Sequence, residues 1–395
     1  MAWSIFGSRR REAARESKAS AVGAFTAVHG LGRPAWTPRE TVAMARAGYG
    51  GNAVGFRCVR MIAEAAAAVG LRATEGGAAL TDHPALDLIG RPNPGQDGAA
   101  FFEAAYGWLQ LAGDAFIEAV PAADGAPAEL HVLRPDRMRV IPGRDGWPEA
   151  FEYRVGARTH RFSMDGAQPP ILHLRAFHPL DDHYGMSPME PAATAIDVHN
   201  AATRWTKALL DNAARPSGAV VYTGGDGFLT EEQRQRLSEE LETRHQGSGN
   251  AGRPMLLEGG LDWRPMGYSP SEMEFLETKH AAAREIALAF GVPPMLLGLP
   301  GDNTFANYAE ANRAFFRQIV APLAARMASA LSGWLGDRWG GAVRFEADLE
   351  TAPALAEERE ARWRRVLAAD FLDEDEKRRL LGLPDRGVRW KGEAL

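Results

Sequence analysis

Apolar residues recur at two different spacings along the chain, and the change between them divides it into regions. Over residues 50–69, Val54, Cys58, Met61 and Ala65 recur at intervals of three and four, which predicts a helix. The stretch GAAFFEAAYGWLQLAGD repeats this pattern and ends at a glycine, a residue that commonly terminates helices. The first third of the chain is therefore expected to begin with helices.

The apolar period shortens between about residues 115 and 176. There the runs AFIEAV, ELHVL, RMRVI, FEYRV, THRFS and ILHLR are short and β-prone, with Gly, Pro and Asp between them. Runs of this length separated by turn residues predict strands. The sequence therefore predicts a small antiparallel β region after the first helices.

Two long helices are predicted over about 188–213 and 271–292, with residues 216–268 between them. That intervening segment contains the strand-like runs SGAVVYTGG and RPMLLEGGLDWRP, and a charged helix between these runs. Thr230 and Gln233 stand three residues apart at the start of this helix, which is the spacing of a capping box. We therefore expect a compact α/β insertion between two long helices.

A third long helix is predicted over about 305–335. Pro322 lies inside it and removes one backbone hydrogen bond, so we expect a kink near 318–322. The charged tail 353–383 is also expected to be helical. Its acidic run 373–376 suits the first turn of a helix, where the helix dipole stabilises negative charge.

A firm break separates the second long helix from the third. It contains five helix-disfavouring residues within nine positions, Pro293, Pro294, Gly298, Pro300 and Gly301. Proline disfavours helical geometry in the residue before it, and glycine permits tight reversals. The polar tip Asp302-Asn303-Thr304 follows, and Asn303 or Thr304 is suited to cap the restarting helix.

Composition limits the classes of function that the chain can have. Its 395 residues are 45% hydrophobic and carry a formal net charge of −6, whereas proteins that grip nucleic acid tightly are usually basic. Its one cysteine, Cys58, excludes an intramolecular disulfide and a cysteine-ligated zinc site, and its helical context predicts a buried structural thiol. No run of about 18 apolar residues and no signal peptide is found, so no membrane span is expected.

Catalytic motifs are weak. No phosphate-binding loop, dinucleotide fingerprint or serine nucleophile elbow is present in a convincing context. One polar stretch could bind a divalent metal, namely His173, His178, Asp181, Asp182 and His183. Its spacing fixes no common face, which favours ordinary loop residues. One aromatic cluster could be a base-stacking platform, but few cations lie among its residues, so we interpret it as packing. Its members are Phe305, Tyr308, Phe315 and Phe316.

Eight segments in a fixed order resemble the portal, or head-to-tail connector, proteins of tailed bacteriophages. The resemblance runs over roughly residues 30 to 385. Within this family, the chain most resembles the portals of gene transfer agents. It is strongest in IALAFGVPPMLLG followed by NTFANYAEANRAFF. The other segments are GDAFIEAV, LRPDRMRVI, YGMSPMEPAATAI, NAARPSG, GSGNAGRPMLLEGGLDW, FEADL and RRLLGLP.

This resemblance implies a non-enzymatic α+β subunit that is elongated and assembles into a ring of about twelve copies. It implies long channel-lining helices, an antiparallel β wing, an inserted α/β clip and a helical crown. The implied boundaries are a flexible basic arm 1–25, wing 26–187, first stem helix 188–215, clip 216–268, second stem helix 269–297, tunnel loop 298–307, kinked wing helix 308–336 and crown 337–395.

The resemblance also implies partners and a location, but no cofactor, metal or catalytic residue. The partners would be further copies of the chain, double-stranded DNA bound without sequence preference, the terminase large subunit, a head–tail adaptor and the major capsid protein. No membrane partner is implied. The protein would be located at the portal vertex of the virion, and in the bacterial cytoplasm during assembly.

Candidate site residues fall into three groups. The tunnel loop would present Gly298, Leu299, Pro300, Gly301, Asp302, Asn303, Thr304 and Asn307 to DNA. The stem helices would carry Arg204, Lys207, Lys279 and Arg284. The clip would offer Arg244, Gln246, Asn250 and Arg253 to the adaptor or terminase. Two alternatives stay open: a metal-dependent hydrolase using His173, His178, Asp181 and His183, and a generic cytoplasmic scaffold.

Overall fold

The computed structural model describes residues 36–123, 125–211, 218–222, 260–265, 275–300 and 305–383, with Thr230 and parts of 232–239. Within these parts of the chain, no helix is long and apolar enough to cross a membrane. The helices are α1 (Thr41–Met44), α2 (Ala53–Ala67), α3 (Pro84–Gly90), α4 (Gly98–Ala112), α5 (Met189–Asp211), α6 (Phe275–Ala289), α7 (Phe305–Phe315), α8 (Ala321–Leu335), α9 (Ala356–Leu367) and α10 (Glu374–Leu380).

In the described residues, the strands form four small antiparallel sheets. They are β1 (Gly70–Glu75), β2 (Ala78–Ala79), β3 (Asp114–Pro121), β4 (Pro127–Leu133), β5 (Met138–Pro142), β6 (Pro148–Val155), β7 (Arg158–Ser163), β8 (Ile171–Arg175), β9 (Gly218–Tyr222), β10 (Leu261–Pro265) and β11 (Val343–Asp348). The strand orders are β11-β1-β2, β4-β3-β8, β5-β6-β7 and β10-β9. The mixed α and β content agrees with the fold class that the sequence indicated.

Helices α2 and α4 pack together and form the centre of the main hydrophobic core. Their facing side chains, such as Ile62 and Phe101, are fully buried. Cys58 lies in the same core, and burial raises the pKa of its thiol from 9.0 to about 12. The predicted buried thiol is confirmed, because Cys58 is fully buried, and a thiol that ionises only at high pH is unreactive at neutral pH.

Two three-stranded sheets make up the β region, as the period change predicted. Strand β3 begins directly after α4, whose end is Gly113 with φ 76°. The inner faces of the two sheets share a second apolar cluster, in which Phe116, Phe151 and Phe162 are buried. The tyrosine hydroxyl of Tyr184 accepts a hydrogen bond from the Val140 N–H at the edge of β5, at 2.9 Å.

The β1–β2 hairpin was not predicted from the sequence. Its strand β1 pairs along its whole length with β11, from Gly70 opposite Asp348 to Glu75 opposite Val343. Strand β11 also packs against α8. The strand that the predicted boundaries place in the crown therefore belongs to the same sheet as a strand of the predicted wing.

The long helix predicted over 305–335 is present, with one irregularity. Between α7 and α8, the chain forms a π-helix over Phe316–Val320, directly before Pro322 in the first turn of α8. Proline cannot donate the hydrogen bond that a continuous α-helix would need at this position. The structure therefore has a π-helical turn at the position where the sequence predicted a kink.

The charged tail is helical, as predicted, and it consists of α9 and α10. Asp373 and Glu376 form a complete capping box at the start of α10, so the acidic run does occupy a first turn. Gly382, with φ 72°, ends this helix. Neither α9 nor α10 contributes a buried residue to a core.

Candidate functional site

The segment between α6 and α7 begins with a glycine-dependent helix end. Gly291 has φ 67°, and its N–H donates to the Leu288 carbonyl at 3.0 Å. The next N–H, of Val292, donates to the Ala287 carbonyl at 2.9 Å, which completes a Schellman motif. A Cβ at Gly291 would lie 2.7 Å from Ile319 Cδ1 on the π-helix, so packing as well as backbone conformation favours glycine here.

A second reversal follows within seven residues. Pro294–Leu297 form a 3₁₀ turn, and Gly298 ends it with φ 71°. The hydrogen bonds repeat the first pattern, with Gly298 N–H donating to the Met295 carbonyl at 3.1 Å and Leu299 N–H to the Pro294 carbonyl at 3.2 Å. The predicted role of Gly298 in a tight reversal is confirmed.

Helix α6 also contacts the start of the predicted tunnel loop directly. The Arg284 guanidinium donates a hydrogen bond to the Pro300 carbonyl at 2.6 Å. Leu296 and Leu297, in the turn before it, pack against the main core. Both the turn and its exit are therefore held against the folded body.

Only part of the predicted tunnel loop lies in the described chain. Gly298, Leu299 and Pro300 are described, and Asn307 is an exposed residue in the first turn of α7. Gly301, Asp302, Asn303 and Thr304 lie outside the described residues, and so does the predicted helix cap at Asn303 or Thr304. The narrow point of a channel at 298–307 stays a prediction.

The two predicted stem helices, α5 and α6, pack against each other. The rings of Trp205 and Phe275 stack between them, with centroids 4.1 Å apart and planes 2° apart. On the same two helices, Arg204 and Lys207 are exposed and Lys279 is half-buried. The four cations assigned to the stem therefore lie on two adjacent helices.

A buried polar cluster joins the start of α2 to the middle of α5. Asn52 caps α2, since its Oδ1 accepts from the N–H groups of Val54 and Gly55, both at 3.0 Å. Its Nδ2 must then be the donor to His199 Nδ1 at 3.1 Å and to Asn200 Oδ1 at 2.9 Å. This arrangement keeps Nδ1 of His199 unprotonated. Burial lowers the pKa of His199, and the nearby charge of Lys279 lowers it further.

The predicted clip is described only in fragments. Strands β9 and β10 pair from Gly218 opposite Pro265 to Tyr222 opposite Leu261. The capping box is confirmed, because Thr230 N–H donates to Gln233 Oε1 at 2.9 Å and Gln233 N–H donates to Thr230 Oγ1 at 3.3 Å. The four contact residues assigned to the clip, Arg244, Gln246, Asn250 and Arg253, lie outside the described residues.

Comparison with known proteins decides the family. A sequence model described as "Phage portal protein" matches residues 53–382. The chain belongs to the phage portal protein family. It is 59% identical to a chain in the neck of a native gene transfer agent particle computed with C12 symmetry, covering 90% of this portal and 97% of that chain with a TM-score of 0.70.

A second structure and a sequence relative agree with this assignment. The neck of the empty particle, computed with C6 symmetry, contains a chain with 59% identity, coverage of 91% and 98%, and a TM-score of 0.72. The probable portal protein of Streptomyces phage phiC31 is 30% identical over 220 residues, which is 52% of this portal and 46% of that protein. The function is structural, and the family implies a protein that is not an enzyme.

The portal motif Tyr-Gly-x-Ser-Pro has a clear physical role in this chain. A Cβ at Gly185 would lie 2.0 Å from the Gly113 carbonyl oxygen, so two backbones meet where only glycine fits. Ser187 Oγ donates to the Gln110 carbonyl at 2.8 Å and accepts from the Met189 N–H at 3.0 Å. The motif therefore joins the end of α4 to the start of the first long helix.

The polar stretch proposed for a metal hydrolase does not converge on one point. His173 bonds to Asp114 through Nε2 and Oδ1 at 2.8 Å and stacks on Phe116. His178 and Asp181 instead accept backbone N–H groups of their own loop. In the described ranges, no group of three or more His, Cys, Asp or Glu side chains could hold a metal ion. Nothing in the geometry or the family favours the hydrolase alternative.

Sequence reasoning missed two features that position these elements. The Asn52–His199 contact joins residues 147 positions apart, and the Asp114–His173 contact joins residues 59 apart. The asparagine before a helical run was a usable capping signal. Its histidine partner could not be inferred, because no local pattern marks a contact that tertiary packing creates.

Proposed function

We propose that this portal forms a ring of about twelve copies at one vertex of a particle of the gene-transfer-agent type. Double-stranded DNA would pass through the ring during packaging and release. The observation that carries the proposal is the 59% identity, over nearly the whole chain, to a chain in a particle neck computed with C12 symmetry. Identical subunits in such a ring meet through a heterologous, head-to-tail interface, and repeating this contact around the axis closes the ring.

The proposed layout follows the order of elements. Residues 26–187 and the helix over 308–336 would form the wing, and the stem helices, within 188–215 and 269–297, would line the channel. Residues 216–268 would project as the clip, where the terminase large subunit binds first and a head–tail adaptor later. Residues 337–395 would form the crown, with the major capsid protein around the ring. The protein would then be found at the virion portal vertex, and in the host cytoplasm before assembly.

The proposed channel has its narrowest point at residues 298–307. Two consecutive glycine-ended turns and the Arg284 contact hold the start of this segment against the body. A segment held in this way can approach DNA without being displaced by it. With a formal net charge of −6, the chain is also suited to a conduit, because a strongly basic wall would retard DNA by binding phosphates.

Negative-stain microscopy of the purified chain tests the ring. We expect ring-shaped particles with a central hole close to the width of duplex DNA. Monomers or dimers under several buffer conditions would contradict the proposal and favour the generic scaffold. Metal analysis of the same sample addresses the hydrolase alternative, since that alternative needs one metal per chain.

Replacing Asp302-Asn303-Thr304 with three glycines tests the channel segment. Ring assembly should persist, while DNA packaging or retention should fall. The matched control places three glycines at Asp181-Asp182-His183, in an exposed loop of the predicted wing. Unchanged packaging in the first variant, or equal reductions in both, would contradict a special role for residues 298–307.

A further inference from the structure

The outer face of the β5-β6-β7 sheet carries a concentration of arginine. The inner face, with Val140, Phe151 and Phe162, packs into the second apolar cluster. Because side chains alternate along a strand, the residues between these positions point to the opposite face. Arg139 stands opposite Glu152, which stands opposite Arg161, so one cross-strand row on this face holds two arginines.

An open depression of about 330 Å³ lies beside this row. It is lined by the charged residues Asp136, Arg137, Arg139, Glu152 and Arg154, together with Met138 and Gly156. Because the depression is open, these charged side chains are accessible to an external partner.

The charges around the depression do not cancel. Asp136 is already paired, since Arg134 donates to both of its oxygens at 2.9 Å. By contrast, Arg137, Arg139 and Arg154 form no ion pair or side-chain hydrogen bond with any residue of the described chain. Glu152 is the only other carboxylate lining the depression. A net positive charge therefore remains, fixed on two hydrogen-bonded strands and the turn before them.

Elsewhere on the described surface, many arginines are matched with carboxylates. Arg60 pairs with Glu64, Arg72 with Glu346 and Arg313 with Glu357. Unpaired arginines gathered on one rigid surface of an acidic chain therefore mark a place where an external polyanion can bind. Guanidinium groups match phosphate oxygens in geometry and remain charged at every physiological pH.

We infer that the outer face of this sheet, through Arg137, Arg139 and Arg154, binds the phosphate backbone of duplex DNA without sequence preference. The inference rests on the proposed function, which brings duplex DNA to this protein. This surface is separate from residues 298–307, so it would hold DNA against the predicted wing and leave the channel wall weakly binding. Base readout is not expected, because contacts to phosphates position a protein on DNA and carry no sequence information directly.

Fluorescence anisotropy with a labelled DNA duplex tests the inference on the full-length protein. The variant Arg137→Gln/Arg139→Gln/Arg154→Gln should bind at least about tenfold more weakly at about 50 mM salt. The slope of log affinity against log salt should fall by about 0.9 for each phosphate that an arginine no longer neutralises, or about 2.7 for three. Unchanged affinity and slope would overturn the inference.

A matched control removes the same charge from scattered positions. Arg46, Arg91 and Arg344 are exposed and lie in the short π-helix Ala45–Gly50, in a loop and in β11, respectively. Their triple glutamine variant should bind DNA nearly as well as the parent. Equal weakening in both triple variants would show that binding follows net charge alone, and would overturn the inference.

A third variant works in the opposite direction and does not depend on weakened binding. Glu152→Gln removes the second of the two carboxylates that line the depression, so it should tighten DNA binding severalfold. Weaker or equal binding would count against the site.

If the arginine variant blocks ring formation and leaves DNA affinity unchanged, the face binds a second copy of the chain instead. Absence of rings in the parent would overturn the proposed function and leave the anisotropy result valid.

Discussion

The main core centred on α2 and α4, called the body below, and the C-terminal helix pair, α9 with α10, are held in place by different forces. Phe101 in α4 is fully buried in the body, whereas Phe371, between α9 and α10, is 87% exposed. The helix pair is instead attached by ion pairs, such as Arg313–Glu357 at 2.5 Å and Arg317–Glu358 at 3.6 Å. Desolvation fixes the body, while charges that remain in water position the helix pair.

This difference implies different mechanical roles. Apolar packing is dense and tolerates little displacement, so the body suits a part that must keep its shape. Exposed ion pairs contribute little to stability and weaken as the salt concentration rises. The helix pair can therefore move relative to its partners at a small cost in free energy. Under the proposed function, a subunit that joins a ring and then binds successive partners would use both kinds of attachment.

Truncating a phenylalanine in each region gives the largest expected contrast. Phe101→Ala should lower the free energy of unfolding by about 3–5 kcal/mol, because it removes a buried ring and leaves a cavity. Phe371→Ala should change it by less than about 0.5 kcal/mol, because the ring is already in water. Urea denaturation of the two full-length variants provides the measurement. Similar decreases would remove the distinction between the regions.

Removing a buried polar contact should have the second-largest effect on the free energy of unfolding. Asp114 Oδ1 accepts hydrogen bonds from His173 Nε2 at 2.8 Å and from the Gly185 N–H at 2.9 Å. Asp114→Ala leaves both donors unpaired in a buried site and should cost about 1.5–3 kcal/mol. Asp181 is the matched control, since its Oδ1 also accepts two hydrogen bonds, both from backbone N–H groups of its own loop, and that loop is exposed. Asp181→Ala should cost much less, and an equal cost would show that burial is not the cause.

Acidic pH should also act on the body and spare the helix pair. Burial and the charge of Lys279 lower the pKa of His199 in the folded state below its ordinary 6.5. The unfolded chain then binds the proton first as pH falls, so the stabilisation is complete above about pH 6.5 and is lost below it. Protonation at Nδ1 would also remove the hydrogen bond from Asn52.

Thermal melting at pH 7.5 and 5.5 measures this effect. The melting temperature of the parent should fall further between the two pH values than that of His199→Gln, which has no titrating ring. His178→Gln serves as the control, because His178 lies in an exposed loop. If the melting temperatures of the parent and His199→Gln fall by the same amount, acid acts on other groups and the cluster does not sense pH.

The body was also the more predictable region from sequence, for the same physical reason. Apolar periodicity reports which side of a helix is buried, so α2, α4, α5 and the long helix containing Pro322 were found close to their bounds. It does not report partners far away in the chain, so the pairing of β1 with β11 was missed. The tail was predicted to be helical from its charges, but no pattern could show which ion pairs attach it.

Disrupting an ion pair at the helix pair should have the smallest effect on global stability. Glu357 is 78% exposed, so Glu357→Gln should lower the free energy of unfolding by at most about 1 kcal/mol. Local behaviour should change more, because α9 buries no side chain in a core. Hydrogen exchange in α9 should become faster in the variant, and raising the salt concentration to about 1 M should speed exchange in the parent toward the same rate. The α4 amides provide the internal control, and their exchange should not change. If α4 exchanged faster together with α9, the helix pair would belong to the same cooperative unit as the body, and the ion pairs would fix a rigid extension of the body instead of a movable attachment.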